Sequence, residues 1–336
     1  MRVAIVGAGA WGTALAQHTA RRHPVMLWMR DPEQCRRLSQ ARVNQRYLPG
    51  VELLSQIEFG CDPDALVAWL DKGSPALLVV ATSVAGLAPS LEVFGPRLPE
   101  GCRGVVWLCK GIEPSQARLP HRIAAAALSG RPGGALSGPS FAQEVAAGLP
   151  VALTIAGTDP SIEPLAIEAF HHASARIYTS DDLLGVELGG ALKNVMAIAA
   201  GISDGLALGA NARAALVTRA LAEMSRLGVA LGARAETFMG LTGLGDLVLT
   251  CTGALSRNRR VGLALADGQS TPDIVARLGH VAEGVLTAPV ARALAREAGV
   301  EMPLVEAVCG VLEGHLQPVE AVHALLARDP RAEFDH

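Results

Sequence analysis

Lysine is scarce in this chain. Of 29 basic residues only Lys72, Lys110 and Lys193 are lysine, and the other 26 are arginine. Aromatics make up 4% of the 336 residues, so any core must be packed from Ala, Val, Leu and Gly. An excess of one charge is also missing. The balance of 29 basic against 32 acidic residues is −3, which argues against coating nucleic acid or an anionic membrane and makes any anion site a local one. The six cysteines, Cys35, Cys61, Cys102, Cys109, Cys251 and Cys309, form no C-x-x-C pair and have no His at zinc-ligand spacing. Neither a metal nor a redox pair is therefore expected. No apolar run reaches 18 residues, no signal peptide precedes the first strand, and there is no repeat or low-complexity tract. The expectation is a cytoplasmic protein without membrane insertion, its cysteines reduced and mostly buried.

What is present suggests two domains, since half of the residues are hydrophobic and a domain averages about 150 residues. The chain opens with the apolar run Arg2 to Val6, which leads directly into Gly7-Ala8-Gly9-Ala10-Trp11-Gly12 and a helical pattern. In that context Gly7 makes a tight turn, Gly9 lets the backbone approach a pyrophosphate, and Gly12 lets helix and strand pack closely. The second strand, Val25 to Met29, ends on Arg30, whose guanidinium can pair with a 2′-phosphate and so favours NADP. Asp31, next along, could instead bond a 2′-hydroxyl, leaving NAD open. Asp31 to Tyr47 reads as a helix started by Asp31-Pro32. Buried strands are predicted over 76–81, 104–109, 151–156 and 175–179. Their alternation with helices means a mainly parallel, doubly wound α/β sheet with ligands at the strands' carboxyl ends. Lys110 stands at one such end, and Leu136 to Glu144 reads as a turn entering a helix with Ser140 and Gln143 in capping-box spacing.

From about Asp181 only helical patterns follow, which divides the chain into 1–180, a dinucleotide-binding domain, and 181–336, an all-helical one. Val186 to Gly201 is an apolar, small-residue helix carrying a single cation, Lys193. Glu187, Gly190, Asn194, Ala197 and Gly201 share one face that admits another backbone or a ligand. In a chain built on arginine, lysine in such surroundings suits proton transfer, because burial can lower an ammonium pKa toward neutrality whereas a guanidinium stays charged. A stem packed with its head in water is the alternative. Gly240 to Thr250 puts Asp246 between a glycine-rich loop and an apolar helix start. Ser256-Arg257-Asn258-Arg259-Arg260 opens a further helix, with Ser256 as its cap and phosphate-binding groups beside it.

The set G-A-G-A-W-G at Gly7, W-L-C-K-G at Trp107, S-G-P-S-F-A at Ser137, E-L-G-G-A-L-K-N at Glu187, G-L-G-D-L at Gly243, S-R-N-R-R at Ser256 and V-A-E-G at Val281 resembles bacterial NAD(P)-dependent glycerol-3-phosphate dehydrogenases over nearly the whole chain. The resemblance implies reversible reduction of dihydroxyacetone phosphate to sn-glycerol 3-phosphate, feeding glycerophospholipid synthesis, with the active site between a Rossmann domain and a helical domain. It makes Lys193 the catalytic lysine. Lys110, Gly138, Ser140, Asp246, Ser256, Arg257 and Asn258 would join it at the substrate. The cofactor would contact Gly7, Gly9, Ala10, Trp11, Gly12, Arg30, Lys110, Ala142, Arg257, Val281 and Glu283. Ala10 and Arg30 depart from relatives that carry Ser and His there. As hydride reaches the ketone carbon, charge builds on its oxygen, and an ammonium can stabilise that charge and supply the proton. Asp246 and Asn194 could orient the lysine. The partner is a small phosphate substrate, and a homodimer is the expected assembly. A related dehydrogenase acting on a carboxylate and a non-catalytic cofactor sensor are the competing classes.

Overall fold

The computed structural model describes residues 1–72, 75–278 and 282–327. Its first part alternates strand and helix: β1 (Arg2–Val6), α1 (Ala10–Thr19), β2 (Val25–Trp28), α2 (Pro32–Ala41), β3 (Val43–Asn44), β4 (Leu48–Glu52), β5 (Ile57–Gly60), α3 (Pro63–Asp71), β6 (Ala76–Val80), α4 (Val84–Phe94), β7 (Cys102–Trp107), α5 (Pro120–Ala127), β8 (Gly133–Ser137), α6 (Ala142–Ala146), β9 (Val151–Gly157), α7 (Ile162–Phe170) and β10 (Ala175–Ser180). Eight strands form one sheet in the order β10-β9-β8-β7-β6-β1-β2-β5. All neighbours run parallel except β8 and β9. The chain reverses its winding at β1, so a crevice opens beyond the carboxyl ends of β1 and β6. Both sheet faces are covered, as the continuous apolar strands require. Val3 and Ile5 pack into one buried cluster and Ala4 and Val6 into another on the opposite face.

The helical part comprises α8 (Leu183–Gly205), α9 (Gly209–Ala230), α10 (Ala235–Phe238), α11 (Asp246–Thr252), α12 (Arg257–Ala266), α13 (Thr271–Leu278), α14 (Glu283–Glu297), α15 (Pro303–Leu312) and α16 (Pro318–Leu326). Its apolar residues form a third cluster around α8. By length and composition α8 could cross a membrane, but 89% of its apolar window is buried inside the protein. Small residues make this central position possible. A Cβ at Gly201 would stand 2.1 Å from the Arg259 carbonyl oxygen, and one at Gly262 2.1 Å from that of Ile198, so α8 and α12 touch backbone to backbone.

Several local readings change in three dimensions. The helix expected over 31–47 stops at Ala41. Arg42 adopts a left-handed conformation (φ 50°), and its guanidinium donates to the carbonyls of Leu53 and Ile57 at 3.1 Å each. The following residues pair as the antiparallel hairpin β3–β4. Strand β8, Gly-Gly-Ala-Leu-Ser, carries no strong strand signal. Its glycines are needed because a Cβ at Gly133 would stand 2.8 Å from the Trp107 ring. The predicted Ser140–Gln143 capping box does not form. Helix α6 begins at Ala142 with Phe141 before it, and the Ser140 hydroxyl donates to the Gly138 carbonyl at 3.0 Å.

Candidate active site

Gly7 follows β1 with φ +113°, and a Cβ there would meet the Ala81 carbonyl oxygen at 2.8 Å, so only glycine fits this turn. A Cβ at Gly12 would stand 2.0 Å from the Gly7 oxygen, whereas one at Gly9 would meet nothing within 4 Å. The glycine turn is therefore tight on the protein side and open on the crevice side. Gly9 caps α1 without a side-chain bond, which leaves the N–H groups around Ala10 and Trp11 for an anion. Asn44 and Gln34 brace the turn by donating to the Ala8 carbonyl at 3.0 and 3.2 Å. At the end of β2 the Asp31 carboxylate is already engaged, accepting from Glu33 N at 2.9 Å as the cap of α2, while Arg30 is exposed.

Across the crevice, Glu283 begins α14. Its Oε1 accepts from Val84 N at 3.3 Å, and burial raises its pKa against the pull of that N–H and of Arg257. Its Oε2 and the Thr287 hydroxyl one turn later are both buried without a hydrogen-bond partner among the described residues. Both face Gly111, beside Lys110. Orphaned buried polar atoms cost about 1–3 kcal/mol each, so their presence at the crevice fits a ligand that carries hydrogen-bond donors and acceptors. An open pyrophosphate cradle and this polar wall fit a dinucleotide. Ala142 stands at the start of α6 against the sheet core. Val281 lies outside the described residues.

The two lysines meet on one carboxylate. Asp246, 1% exposed, accepts from Lys110 Nζ on Oδ2 and from Lys193 Nζ on Oδ1, each at 2.7 Å. Lys110 also donates to the Gly138 carbonyl and Lys193 to the Thr250 hydroxyl, both at 2.8 Å. Burial lowers the Lys193 pKa to about 8, with Asp246 opposing the shift and Lys110 adding to it. Burial alone would raise Asp246, but Lys110 and Lys193 hold it below the usual carboxylate range. Lys193 is thus buried and paired, not snorkelling. A second chain of bonds fixes the backbone nearby: Asn194 donates to the Lys110 carbonyl at 2.9 Å, Asn258 donates to Asn194 Oδ1 at 2.8 Å, and Gly284 N donates to Asn258 Oδ1 at 3.0 Å. These bonds join the segment after β7 to α8, α12 and α14.

Ser256 caps α12 as expected, its Oγ accepting from Arg259 N at 3.2 Å. Arg259 is committed to Asp204 at 2.7 Å, and Arg257 stays exposed at the helix start, near Glu283. The glycine-rich stretch before Asp246 is a π-helical turn (Leu241–Gly245) continuous with α11, not a loop. Thr250 escaped the sequence reading, although it stands four residues after Asp246 and so on the same helix face. Glu187 differs from the expected ligand face, because its carboxylate turns to Trp107 and His121.

Residues 2–163 match the family described as NAD-dependent glycerol-3-phosphate dehydrogenase N-terminus, and residues 182–323 match the corresponding C-terminus. The chain belongs to the NAD-dependent glycerol-3-phosphate dehydrogenase family. As a member of it, the chain is an NAD(P)-dependent oxidoreductase. It is 54% identical over 338 residues to the glycerol-3-phosphate dehydrogenase [NAD(P)+] of Ralstonia nicotianae, covering 99% of both chains. The crystal structure of glycerol-3-phosphate dehydrogenase from Coxiella burnetii superimposes with a TM-score of 0.89 at 41% identity, covering 97% of this chain and 99% of that one. The Plasmodium falciparum glycerol-3-phosphate dehydrogenase shares the fold at 19% identity, with a TM-score of 0.82 and coverage of 99% and 97%.

Proposed function

We propose that Lys193 is the proton donor and acceptor in the reversible reduction of dihydroxyacetone phosphate to sn-glycerol 3-phosphate, the reaction of this dehydrogenase family. The observation that carries the assignment is the single buried carboxylate, Asp246, that holds Lys193 and Lys110 on its two oxygens. When bound, the nicotinamide dinucleotide supplies the hydride in reduction and accepts it in oxidation. Lys193 as an ammonium stabilises the developing oxyanion and gives it the proton, and as a neutral amine it takes that proton back. With the pKa drawn down to about 8, both forms are accessible near neutral pH. Lys110, Gly138, Ser140, Asp246, Ser256, Arg257 and Asn258 form the substrate side, with Arg257 at the positive end of α12 for the phosphate.

Gly7, Gly9, Ala10, Trp11, Gly12, Lys110, Ala142, Arg257 and Glu283 form the cofactor side. Arg30 favours NADP, because Asp31 is already used as a helix cap. We read residues 1–180 as the dinucleotide-binding domain and 181–336 as the catalytic one. We place the enzyme in the cytoplasm as a homodimer without membrane insertion, feeding glycerophospholipid synthesis, and sedimentation velocity measures the assembly. Lys193→Arg tests the central assignment. The charge stays but the mobile proton is lost, so kcat falls by roughly 10²–10⁴. Near-wild-type turnover in that variant overturns it.

A further inference from the structure

Glu187 lies in α8 six residues before Lys193 and is 5% exposed. Its carboxylate accepts three hydrogen bonds: from Trp107 Nε1 at 2.8 Å and His121 N at 2.9 Å on Oε1, and from His121 Nδ1 at 2.6 Å on Oε2. Trp107 is the last residue of β7 and His121 the second of α5, so these partners bracket the segment 108–119 that carries Lys110. We propose that Glu187 is a positioning residue for the reaction, clamping both ends of that segment onto α8 and so setting Lys110 against Lys193 across Asp246. This rests on the assignment of Lys193 as the proton-transfer group.

The packing between the clamp and the lysines supports it. Gly190, three residues after Glu187, leaves room for the Lys110 stem, since a Cβ there would stand 3.4 Å from Lys110 Cγ and 3.0 Å from Ser137 Oγ. Asn194 then holds the Lys110 carbonyl. The segment is thus tied to α8 at both ends and at Lys110 itself. The charged and titratable groups facing Lys193 are Asp246, Lys110 and Cys251. Those around Glu187 are His121 and Cys109, whose thiol is kept protonated by burial and by Glu187 and Glu283. Burial works against the ionised Glu187, and its three donors work for it. Releasing the segment would let Lys110 drift from Lys193 and leave Asp246 to pair with Lys193 alone. Both changes favour the protonated Lys193.

The test compares the pH profiles of kcat for sn-glycerol 3-phosphate oxidation in the wild type, Glu187→Ala, Glu187→Gln and His121→Ala, all as the full chain. Glu187→Ala is expected to lower kcat at the wild-type midpoint by about tenfold and to move the rising limb upward by about half a pH unit or more. Glu187→Gln keeps acceptors for Trp107 and the His121 N–H, and its amide can donate to the other tautomer of the imidazole. It is expected to restore both limb and kcat to within about threefold. His121→Ala removes one bond at a partly exposed ring and should move the limb the same way by less. An unmoved limb in a folded Glu187→Ala overturns the proposal, as does a Glu187→Gln that behaves like Glu187→Ala. If Glu187→Ala does not fold, an unmoved limb in His121→Ala overturns it. Lys193→Arg run alongside separates the two ideas, since turnover surviving there would remove the proton-transfer assignment and not the clamp alone.

Discussion

Asp246→Asn probes the site at its most constrained point. The carboxylate is buried, and each oxygen holds one ammonium at 2.7 Å. An asparagine keeps one acceptor but turns its amide donors toward the second lysine, leaving two cations with no counter-charge between them. Breaking a buried pair from one side costs about 3–5 kcal/mol. At about 2–4 °C per kcal/mol for a domain of 150–250 residues, the melting temperature should fall by roughly 6–20 °C. The pH dependence gives a sharper readout. Asp246 is the chief group opposing the burial and the Lys110 charge that lower Lys193, so its neutralisation should take the Lys193 pKa below about 8. With Lys193 as the proposed proton-transfer group, oxidation needs the neutral amine and rises with pH through this pKa, so its limb should move to lower pH. Reduction needs the ammonium and should lose rate at neutral pH. The assay is kcat against pH in both directions, well below the melting transition. A limb that stays in place or moves upward would refute the electrostatic account, whatever happened to stability.

Other consequences can be measured separately. Arg257→Ala should lower kcat/KM for dihydroxyacetone phosphate by roughly tenfold or more at saturating cofactor, while the poor substrate dihydroxyacetone, which lacks the phosphate, should suffer much less. Equal losses with both substrates would assign Arg257 to the cofactor or the fold. Arg30→Asp should weaken NADPH more than NADH by about 1–3 kcal/mol, read by fluorescence titration, and parallel losses would indicate general damage. Far from the site, His172 stacks on His18 with ring centroids 4.1 Å apart, and burial with the charges of His18, His23 and Arg22 lowers its pKa from 6.5 to about 4. The unfolded chain then binds the extra proton first, so stability present above pH 6.5 is lost as the pH falls toward about 4. Discounted for partial exposure, the loss is about 1–2 kcal/mol, and His172→Asn should flatten that part of the urea-melt pH profile. An unchanged slope would place the acid sensitivity elsewhere.

The sequence by itself determined what depends on neighbouring residues. The order apolar strand, Gly7-x-Gly9-x-x-Gly12, helix specifies the tight turn between β1 and α1, because the constraints on those glycines come from within a few residues and from the adjoining strand. Asp31 and Ser256 announce helix starts for the same reason, each accepting from an N–H two or three residues on. Two lysines at a strand end and in an apolar helix, set against 26 arginines, stood out as candidates for the chemistry. Tertiary structure alone decided the partners. Asp246 meets Lys110 across 136 residues and Lys193 across 53, and nothing in local spacing tells a carboxylate that gathers two lysines from one that only starts a helix. Glu187 shows the same limit from the other side: its place on the helix suggested a ligand face, but the approach of β7 and α5 turned it into an anchor. The helix expected to reach Tyr47 ends at Ala41 because pairing with β4 and the carbonyls waiting for Arg42 outweigh local propensity. Propensity and capping act over a turn or two of chain, whereas a buried charge is stable only where distant segments bring its partners, and that is settled by packing.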